Sequence, residues 1–328
     1  MKTKRLLLIM MCLGLVLSAF SGCAGRKTTV LTVGEAEVNS EIFAYFFNKA
    51  YSAVEAEGGN LLDRGAITDD AIERCGEYVS SITLFEQMNL SLNADEKLEI
   101  SQNVEEEWHL YGGYYESAGI SKQTVAKIER ANAMRTALLL YYFGEGSEYE
   151  VGEDEIEYYF DQTYVQFQAI NGYLTTTNEQ GETIRLSEEE AAALRADFES
   201  KKQKLESGVT LRELNDGVEV DPTFAAVSNQ AYPDGFLEQV AKLEENKPAI
   251  IEVEDYIFLV IRQDAKEGEE NYYNSYRTDY IEALRGEMLT DMLVATMEDY
   301  EIIRNEQQLE KAADRLIDAR NERKKASY

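Results

Sequence analysis

Apolar residues recur every three to four positions over long stretches of this chain, a spacing that predicts a mainly helical protein. Helix-capping side chains stand before several of these stretches, among them Asn39, Asn93 and Ser187. Asn93 and Glu96 have the spacing of a capping box, in which each residue accepts a backbone hydrogen bond from the other. The predicted helices cover residues 40–57, 68–90, 93–115, 122–143, 153–162, 188–206, 211–215, 236–245, 272–297 and 306–325.

Shorter runs in which apolar and polar residues alternate predict strands. They form a hairpin at residues 30–38 and single strands at 164–173, 249–253, 256–262 and 300–303. The three middle strands, with a helix after the first, have the β-α-β-β order of a small α/β domain. The hairpin and the last run would each leave backbone groups unpaired, so we expect them to pair with each other. The predicted fold class is α+β: a mainly helical lobe, built from N-terminal helices and a C-terminal helix, with an inserted small α/β domain.

The first 23 residues have the pattern of a secretory signal. Lys2, Lys4 and Arg5 precede an apolar run that is too short to cross a bilayer. The run ends at Phe20-Ser21-Gly22-Cys23, which resembles a bacterial lipobox, although Phe20 replaces the usual Leu. We predict a signal peptide at residues 1–22, lipid attachment at Cys23 and a tether at 23–29. The alternative is an ordinary signal peptide with an incidental cysteine. Either signal predicts an extracytoplasmic protein, and the lipobox predicts one anchored to a bacterial cell membrane.

The charge of the chain limits its partners. It contains 32 Lys and Arg against 62 Asp and Glu, a net charge of −30 at pH 7. Residues 1–22 hold three of the basic residues and no acidic one, so the remainder carries −33. Phosphate-binding surfaces need clustered Lys and Arg, so we expect no nucleic-acid partner. The charge also repels anionic lipid, which leaves the acyl chains to hold the protein at the membrane.

Few residues have the pattern of reactive or metal-binding groups. His109 is the only histidine and has no Cys or Asp at ligand spacing, so we predict no metal and no cofactor. Cys75 is the only cysteine after Cys23 and lies in register with an apolar helical face, which favours a buried hydrophobic role. Carboxylate runs such as residues 105–107 are interpreted as solvated helix faces. The 21 tyrosines are interpreted as packing residues, with an exposed, adaptable binding surface as the alternative.

Several segments, taken in their order and spacing, resemble those of the PrsA-type foldase lipoproteins and the SurA-type periplasmic chaperones. Residues 33–43 look like their opening strand, turn and first helix, and residues 118–121 look like the start of the last N-terminal helix. Residues 151–160 are similar to the acidic helix before a parvulin domain, and residues 164–170 to the first parvulin strand. The resemblance implies a helical chaperone region at 30–152, a parvulin-like domain with its leading helix at 153–266, and a C-terminal helical region at 267–328 that packs on the N-terminal lobe.

The resemblance also implies which positions should carry isomerase chemistry. Parvulins lower the barrier to prolyl rotation, about 18–20 kcal/mol, in an apolar pocket beside a polar cluster that normally includes two histidines. These positions fall here at Ala169 and Ile257, whose side chains form no hydrogen bonds. Residues of the apolar pocket are retained in part, which makes a candidate peptide-binding groove of Phe167, Tyr232, Pro233 and Phe236.

The function implied by this resemblance is that of a membrane-anchored, extracytoplasmic chaperone or foldase. Its partners would be unfolded or partly folded secreted polypeptides, and its isomerase-like domain would be inactive. Two alternatives remain: an active peptidyl-prolyl isomerase that uses other polar groups, Gln166 and Gln168 being nearest, and a binding or assembly lipoprotein for one dedicated partner. Formation of a homodimer is left open.

Overall fold

The computed structural model describes residues 28–266, 272–298 and 300–326. The predicted signal peptide and Cys23 lie outside the described residues. The helices are α1 Ser40–Ala56, α2 Arg64–Gln87, α3 Ala94–Ala118, α4 Lys122–Phe143, α5 Glu153–Thr163, α6 Glu188–Glu206, α7 Leu211–Leu214, α8 Phe236–Val240, α9 Tyr272–Ser275, α10 Arg277–Met297 and α11 Glu306–Ala326. The strands are β1 Thr29–Val33, β2 Ala36–Asn39, β3 Tyr164–Tyr173, β4 Thr175–Thr177, β5 Thr183–Arg185, β6 Thr223–Ala226, β7 Pro248–Val253, β8 Tyr256–Gln263 and β9 Ile302–Arg304.

The described chain divides into two compact units. Unit 1 contains the residues up to Tyr141 and from Glu287 onward, and unit 2 is Tyr142–Gly286. Helices α4 and α10 each pass from one unit into the other. Unit 2 is therefore an insertion, in sequence, between the two parts of unit 1. The α+β class with a helical lobe and a small α/β domain is confirmed, and the family-based boundaries at residues 152 and 266 stay predictions.

The two ends of the described chain pair in one sheet, as the sequence predicted. Strand β1 lies between β2 and β9, and Leu31, Thr32 and Val33 pair antiparallel with Arg304, Ile303 and Ile302, respectively. The Gly34 amide donates to the Glu301 carbonyl over 3.0 Å. Gly34 has φ +59°, and a Cβ there would lie 3.2 Å from the Tyr300 ring. The turn therefore needs glycine for its conformation and for the approach of this ring.

The core of unit 1 is apolar and draws on both parts of the chain. Side chains of β1, α1, α2, α3 and the first half of α4 pack with Leu309, Ala312, Leu316 and Ala319 of α11. Polar contacts also join α11 to α1, the last and first helices of the described residues. Arg320 donates to Asn48 over 2.7 Å and forms an ion pair with Glu55.

Local capping sets several helix bounds. Asn93 and Glu96 form the predicted capping box at the start of α3. Helix α2 begins at Arg64, four residues before the predicted start, because the Asp63 side chain accepts the Ala66 amide hydrogen. Helix α3 continues to Ala118 and ends at Gly119, which adopts φ +80°.

Unit 2 contains a four-stranded antiparallel sheet in the order β6-β3-β8-β7. Strand β6 was not predicted, because its four residues lie in a stretch without clear alternation. Helix α8 ends at Val240, five residues before its predicted end, and Arg262 donates to the carbonyls of Ala241 and Leu243. A side chain from β8 thus satisfies two carbonyls in the segment that the sequence predicted as helix. The described residues contain no helix both long and apolar enough to cross a membrane.

Candidate functional site

The sheet of unit 2 has two covered faces, and alternate residues of β3 point to opposite ones. Val165 and Phe167 lie on the face covered by α8, which we call the α8 face. Ile170 lies with Ile257 on the face covered by α6 and α7, which we call the α6 face. The period of two along a strand therefore decides which predicted site residues can meet.

The predicted groove residues come together on the α8 face. The ring centre of Phe167 lies 5.8 Å from that of Tyr232 and 5.6 Å from that of Phe236, and Tyr232 stacks on Phe236 at 5.6 Å. Phe236 is 0% exposed and Phe167 3% exposed, whereas Tyr232 and Pro233 are half-buried at the edge. The three rings form one cluster, in which Phe167 and Phe236 belong to the core of unit 2, and Pro233 directly follows Tyr232 in the sequence. Peptide binding at this cluster stays a prediction.

Ala169 and Ile257 do not lie together. Ala169 packs on the α8 face, while Ile257 is buried on the α6 face. In the ladder, Ala169 pairs with Val260, and Ile257 pairs with Gly172. This corrects the expectation that the two positions share one site. The lack of a histidine pair does not depend on that register, because the only histidine, His109, lies on α3 in unit 1.

The glutamines considered as substitute polar groups are held on the α6 face. Gln166 is 7% exposed, and it pairs with Gln263 in the ladder. The Gln168 amide nitrogen donates to the Val220 carbonyl, and its oxygen accepts from Gln263 over 3.0 Å. The side-chain oxygens of Gln166 and Gln263 are buried without a described donor, a situation that ordered water usually satisfies in folded proteins. Gln168 is therefore engaged by structural hydrogen bonds, and Gln166 is buried.

Unit 2 also contains a cluster of aromatic side chains that the sequence did not predict. The Phe224 ring stacks on Tyr164 at 5.2 Å and on Tyr272 at 4.2 Å, and Phe160 contacts Tyr280 at 5.6 Å. Burial, and then a hydrogen bond to Glu153, raises the pKa of a further member, Tyr273, to about 12. These rings come from three separate parts of the sequence: α5 with β3, β6, and α9 with α10. Tyrosine packing, the first interpretation of the composition, accounts for them.

Unit 1 contains an open groove between α3 and α4, which we call the acidic groove. Its volume is about 280 Å³, and its lining residues are Asn103, Glu106, Glu107, Leu110, Tyr111 and Glu129. The α3 members recur at one-turn spacing, so they share one face of that helix. Leu110 is 61% exposed and Tyr111 40% exposed, so apolar surface lies beside the carboxylates.

Hydrogen bonds and burial act on two carboxylates of the acidic groove, Glu107 and Glu129. One oxygen of Glu107 accepts from Tyr115 over 2.5 Å and from Tyr45 over 3.3 Å. Burial, and then the charge of Glu107, raises the pKa of Glu129, while the charge of Lys49 opposes this shift. The sequence interpreted residues 105–107 as a solvated face. The groove itself depends on Glu129 from the next helix, and no local pattern indicated that juxtaposition.

The two remaining candidate residues, His109 and Cys75, have no surroundings typical of a metal site or a reactive thiol in the described residues. His109 is exposed on α3, and the described ranges contain no group of three or more His, Cys, Asp or Glu side chains that could hold a metal ion. Cys75 is buried in the core of unit 1, and burial raises the pKa of its thiol. A thiol with a raised pKa is a poor nucleophile near neutral pH. Cys75 is the small buried residue that its helical register predicted.

Comparison with solved structures gives matches to foldases and chaperones. The chain is 14% identical to the foldase protein PrsA of Streptococcus pneumoniae, with a TM-score of 0.33, over 90% of this chain and 94% of that one. It is 11% identical to PrsA of Lactococcus lactis, with a TM-score of 0.37, over 88% and 99%. It is also 11% identical to a SurA-like chaperone of Campylobacter jejuni, with a TM-score of 0.31, over 85% and 99%.

These solved structures belong to the two groups that the sequence resembles, PrsA foldases and SurA-like chaperones. No protein-family model and no curated protein matches the chain.

Proposed function

We propose that this protein is an extracytoplasmic chaperone that binds unfolded secreted polypeptides and does not catalyse prolyl isomerisation. The observation that carries the proposal is the chain topology. Strand β9 pairs with β1, so both ends of the described chain build unit 1, and the α/β unit is inserted between them. The sequence resemblance to PrsA-type and SurA-type proteins implies this organisation.

The surroundings of the sheet support the absence of isomerase activity. Positioned polar groups in an enzyme site typically contribute factors of about 10² or more to its rate. Ala169 offers no polar atom on its side chain, and its ladder partner Val260 offers none either. Gln168 is engaged with Val220, and Gln166 is buried on the other face. A short proline peptide would therefore meet none of the expected chemistry beside the ring cluster of Phe167, Tyr232 and Phe236.

Exposed apolar side chains on charged helices support binding of unfolded chains. On α3, Leu98 and Leu110 are more than half exposed. Loose capture of an unfolded polypeptide needs apolar area without a deep, specific pocket. Carboxylates around such area keep a protein with a net charge of −30 soluble between binding events.

We expect the full-length chain to suppress aggregation of a chemically denatured client without accelerating isomerisation of a short proline peptide. The two activities separate because client capture needs only exposed surface, while catalysis needs the missing polar cluster. Light scattering of the client and a stopped-flow assay of the peptide measure them. Gln166→Ala and Gln168→Ala should leave the peptide rate at its uncatalysed value. Efficient turnover that either variant abolishes would establish the isomerase alternative.

The anchor proposed at Cys23 makes a separate prediction. Cys23→Ala should release the protein from the membrane or leave it unprocessed, because each buried CH₂ of an acyl chain contributes about 0.8 kcal/mol of membrane affinity. Cell fractionation and the electrophoretic mobility of the chain measure the effect. Cys12→Ala, inside the predicted signal, is the matched control and should process normally. Normal processing and unchanged membrane partition of Cys23→Ala would refute the anchor.

A further inference from the structure

We propose that unit 1 faces the membrane with the end at which β1 begins, so that the starts of α1 and α11 lie next to the lipid headgroups. The partner of this surface is a bilayer that contains anionic lipid. The inference rests on the anchor proposed at Cys23 and names the orientation in which that anchor holds unit 1. It is carried by the length and charge of the tether, the position of two helix starts and the direction of the two helices.

The tether limits how far unit 1 can stand from the membrane. Thr28, the first described residue, follows Cys23 by five residues, and five extended residues span at most about 18 Å. Arg26 and Lys27 lie outside the described residues, but the sequence establishes their charges and their place between the lipid and Thr28. Basic residues beside a lipid anchor add electrostatic attraction to anionic lipid. Both properties of the tether hold Thr28 close to the headgroups.

Two helices begin beside the point at which the tether enters unit 1. The Ser40 amide, at the start of α1, donates to the Thr28 carbonyl over 3.0 Å. The Asn305 amide, directly before α11, donates to the Val30 carbonyl over 2.9 Å. Thr28, Asn305 and Gln307 are exposed. We call this surface the tether end of unit 1.

Helices α1 and α11 both lead away from the tether end. Arg320 donates to Asn48 over 2.7 Å, and Lys324 forms an ion pair with Glu55 at 2.5 Å, so later residues of α11 contact later residues of α1. Two helices that begin at one end and meet again along their lengths run in the same direction. Lys324 follows Glu306 by 18 residues, which places it about 27 Å along the axis of α11 from the tether end.

The basic residues near the end of α11 are the competing contact with an anionic membrane. Their charges are met within the described chain, because Lys325 pairs with Glu322 at 2.9 Å and the Arg323 guanidinium lies 5.4 Å from the centre of the Tyr111 ring. The chain after residue 22 carries a net charge of −33, which repels anionic lipid. This repulsion favours an arrangement in which the tether end alone stays within about 10 Å of the surface, the Debye length at 0.1 M salt.

The test compares two fluorophore positions on α11 in the lipidated protein, reconstituted in vesicles that contain anionic lipid and a nitroxide quencher on the lipid headgroups. Gln307→Cys and Asn321→Cys supply the labelling sites, because both residues are exposed. They lie 14 residues apart, about 21 Å along the helix and within about 40° of the same face. Cys75 is buried and burial raises the pKa of its thiol, so the label reacts with the introduced cysteine.

We expect quenching of the label at position 307 to be at least about threefold stronger than at position 321, because the helix separates the two positions by about 21 Å. A 20-residue Gly-Ser insertion between Lys27 and Thr28 raises the root-mean-square reach of the tether to about 25–30 Å and should abolish the difference. Arg26→Gln with Lys27→Gln should weaken quenching at position 307. Lys97 and Lys311 are exposed in unit 1, so Lys97→Gln with Lys311→Gln changes the net charge equally and should leave both signals unchanged.

The outcomes separate the orientation from the anchor. Equal quenching of the two labels, in a protein that Cys23→Ala releases from the vesicles, overturns the orientation and leaves the anchor standing. Stronger quenching at position 321 would show that the basic end of α11 lies on the membrane, which also overturns the orientation. If the Cys23→Ala protein stays bound, the anchor is refuted and the orientation with it. The labelled variants should keep the unfolding midpoint of the unlabelled protein, so that quenching reports position rather than misfolding.

Discussion

Leu316→Ala is expected to lower the free energy of unfolding of unit 1 by about 2–5 kcal/mol. Leu316 is fully buried on α11, where it belongs to the same core as side chains of β1, α1 and α2. The loss includes both the apolar transfer and the cavity left in a core that relaxes only in part. Denaturant unfolding followed by Trp108 fluorescence measures it, because Trp108 is the only tryptophan and packs against this core.

A surface variant and a truncated chain serve as comparisons for Leu316→Ala. Lys311→Ala changes an exposed residue of the same helix and should shift stability by less than about 0.5 kcal/mol. A chain that ends at residue 298 lacks β9 and α11, so β1 loses an edge partner and the core loses a whole helix. We expect that chain to be insoluble or unfolded. A cooperative Trp108 transition near the wild-type midpoint in the truncated chain would contradict the pairing of the chain ends.

Phe236→Ala is expected to destabilise unit 2 by about 3–5 kcal/mol. The ring is fully buried and contacts Phe258 at 4.2 Å as well as Phe167 and Tyr232. A residue that lines an open groove would behave differently, because its loss would weaken peptide binding at little cost in stability. Hydrogen exchange of the β3 and β8 amides measures the effect on unit 2, with the Trp108 transition as the internal reference for unit 1.

Two milder substitutions in the same ring cluster should destabilise unit 2 less than Phe236→Ala does. Phe236→Leu keeps most of the volume and should cost less than about 1.5 kcal/mol. Tyr232→Ala removes a half-buried ring at the edge of the cluster and should cost less than Phe236→Ala. If Phe236→Ala left amide exchange unchanged and abolished client binding, the cluster would be a binding groove, as the sequence proposed, rather than a packed core.

Much of the architecture could be predicted from the sequence, because it depends on local or alternating patterns. Helix periodicity placed α1, α4 and α6, and the residues Asn93 and Glu96 fixed the start of α3 through a local capping box. Alternation placed β3, β7 and β8. The pairing of the chain ends was also predictable, since two short runs with unpaired backbone groups had few other partners.

The patterns failed where tertiary contacts decided the local structure. Strand β6 has no clear alternation and becomes a strand because β3 offers its edge, with Gln166 pairing with Phe224. Helix α8 ends early because Arg262, from strand β8, donates to the carbonyls of Ala241 and Leu243, which follow its last residue. Neither partner is visible in a window of neighbouring residues.

Some properties of the candidate sites follow from the sequence alone, and others depend on the tertiary structure. The sequence by itself determined the absence of a histidine pair, because a chain whose only histidine is His109 cannot supply two to any fold. It also determined the net charge of −30 and the pattern of a signal ending at Cys23. These properties depend on composition and order alone, so folding does not change them.

Only the tertiary structure decided which side chains meet. Ala169 and Ile257 lie on opposite faces of one sheet, because side chains alternate along a strand and the ladder register fixes each residue's partner. The acidic groove exists because α4 brings Glu129 beside a face of α3 that the sequence analysis interpreted as solvated. Contacts of this kind join residues far apart in the chain, and their geometry is set by packing of whole elements rather than by any local pattern.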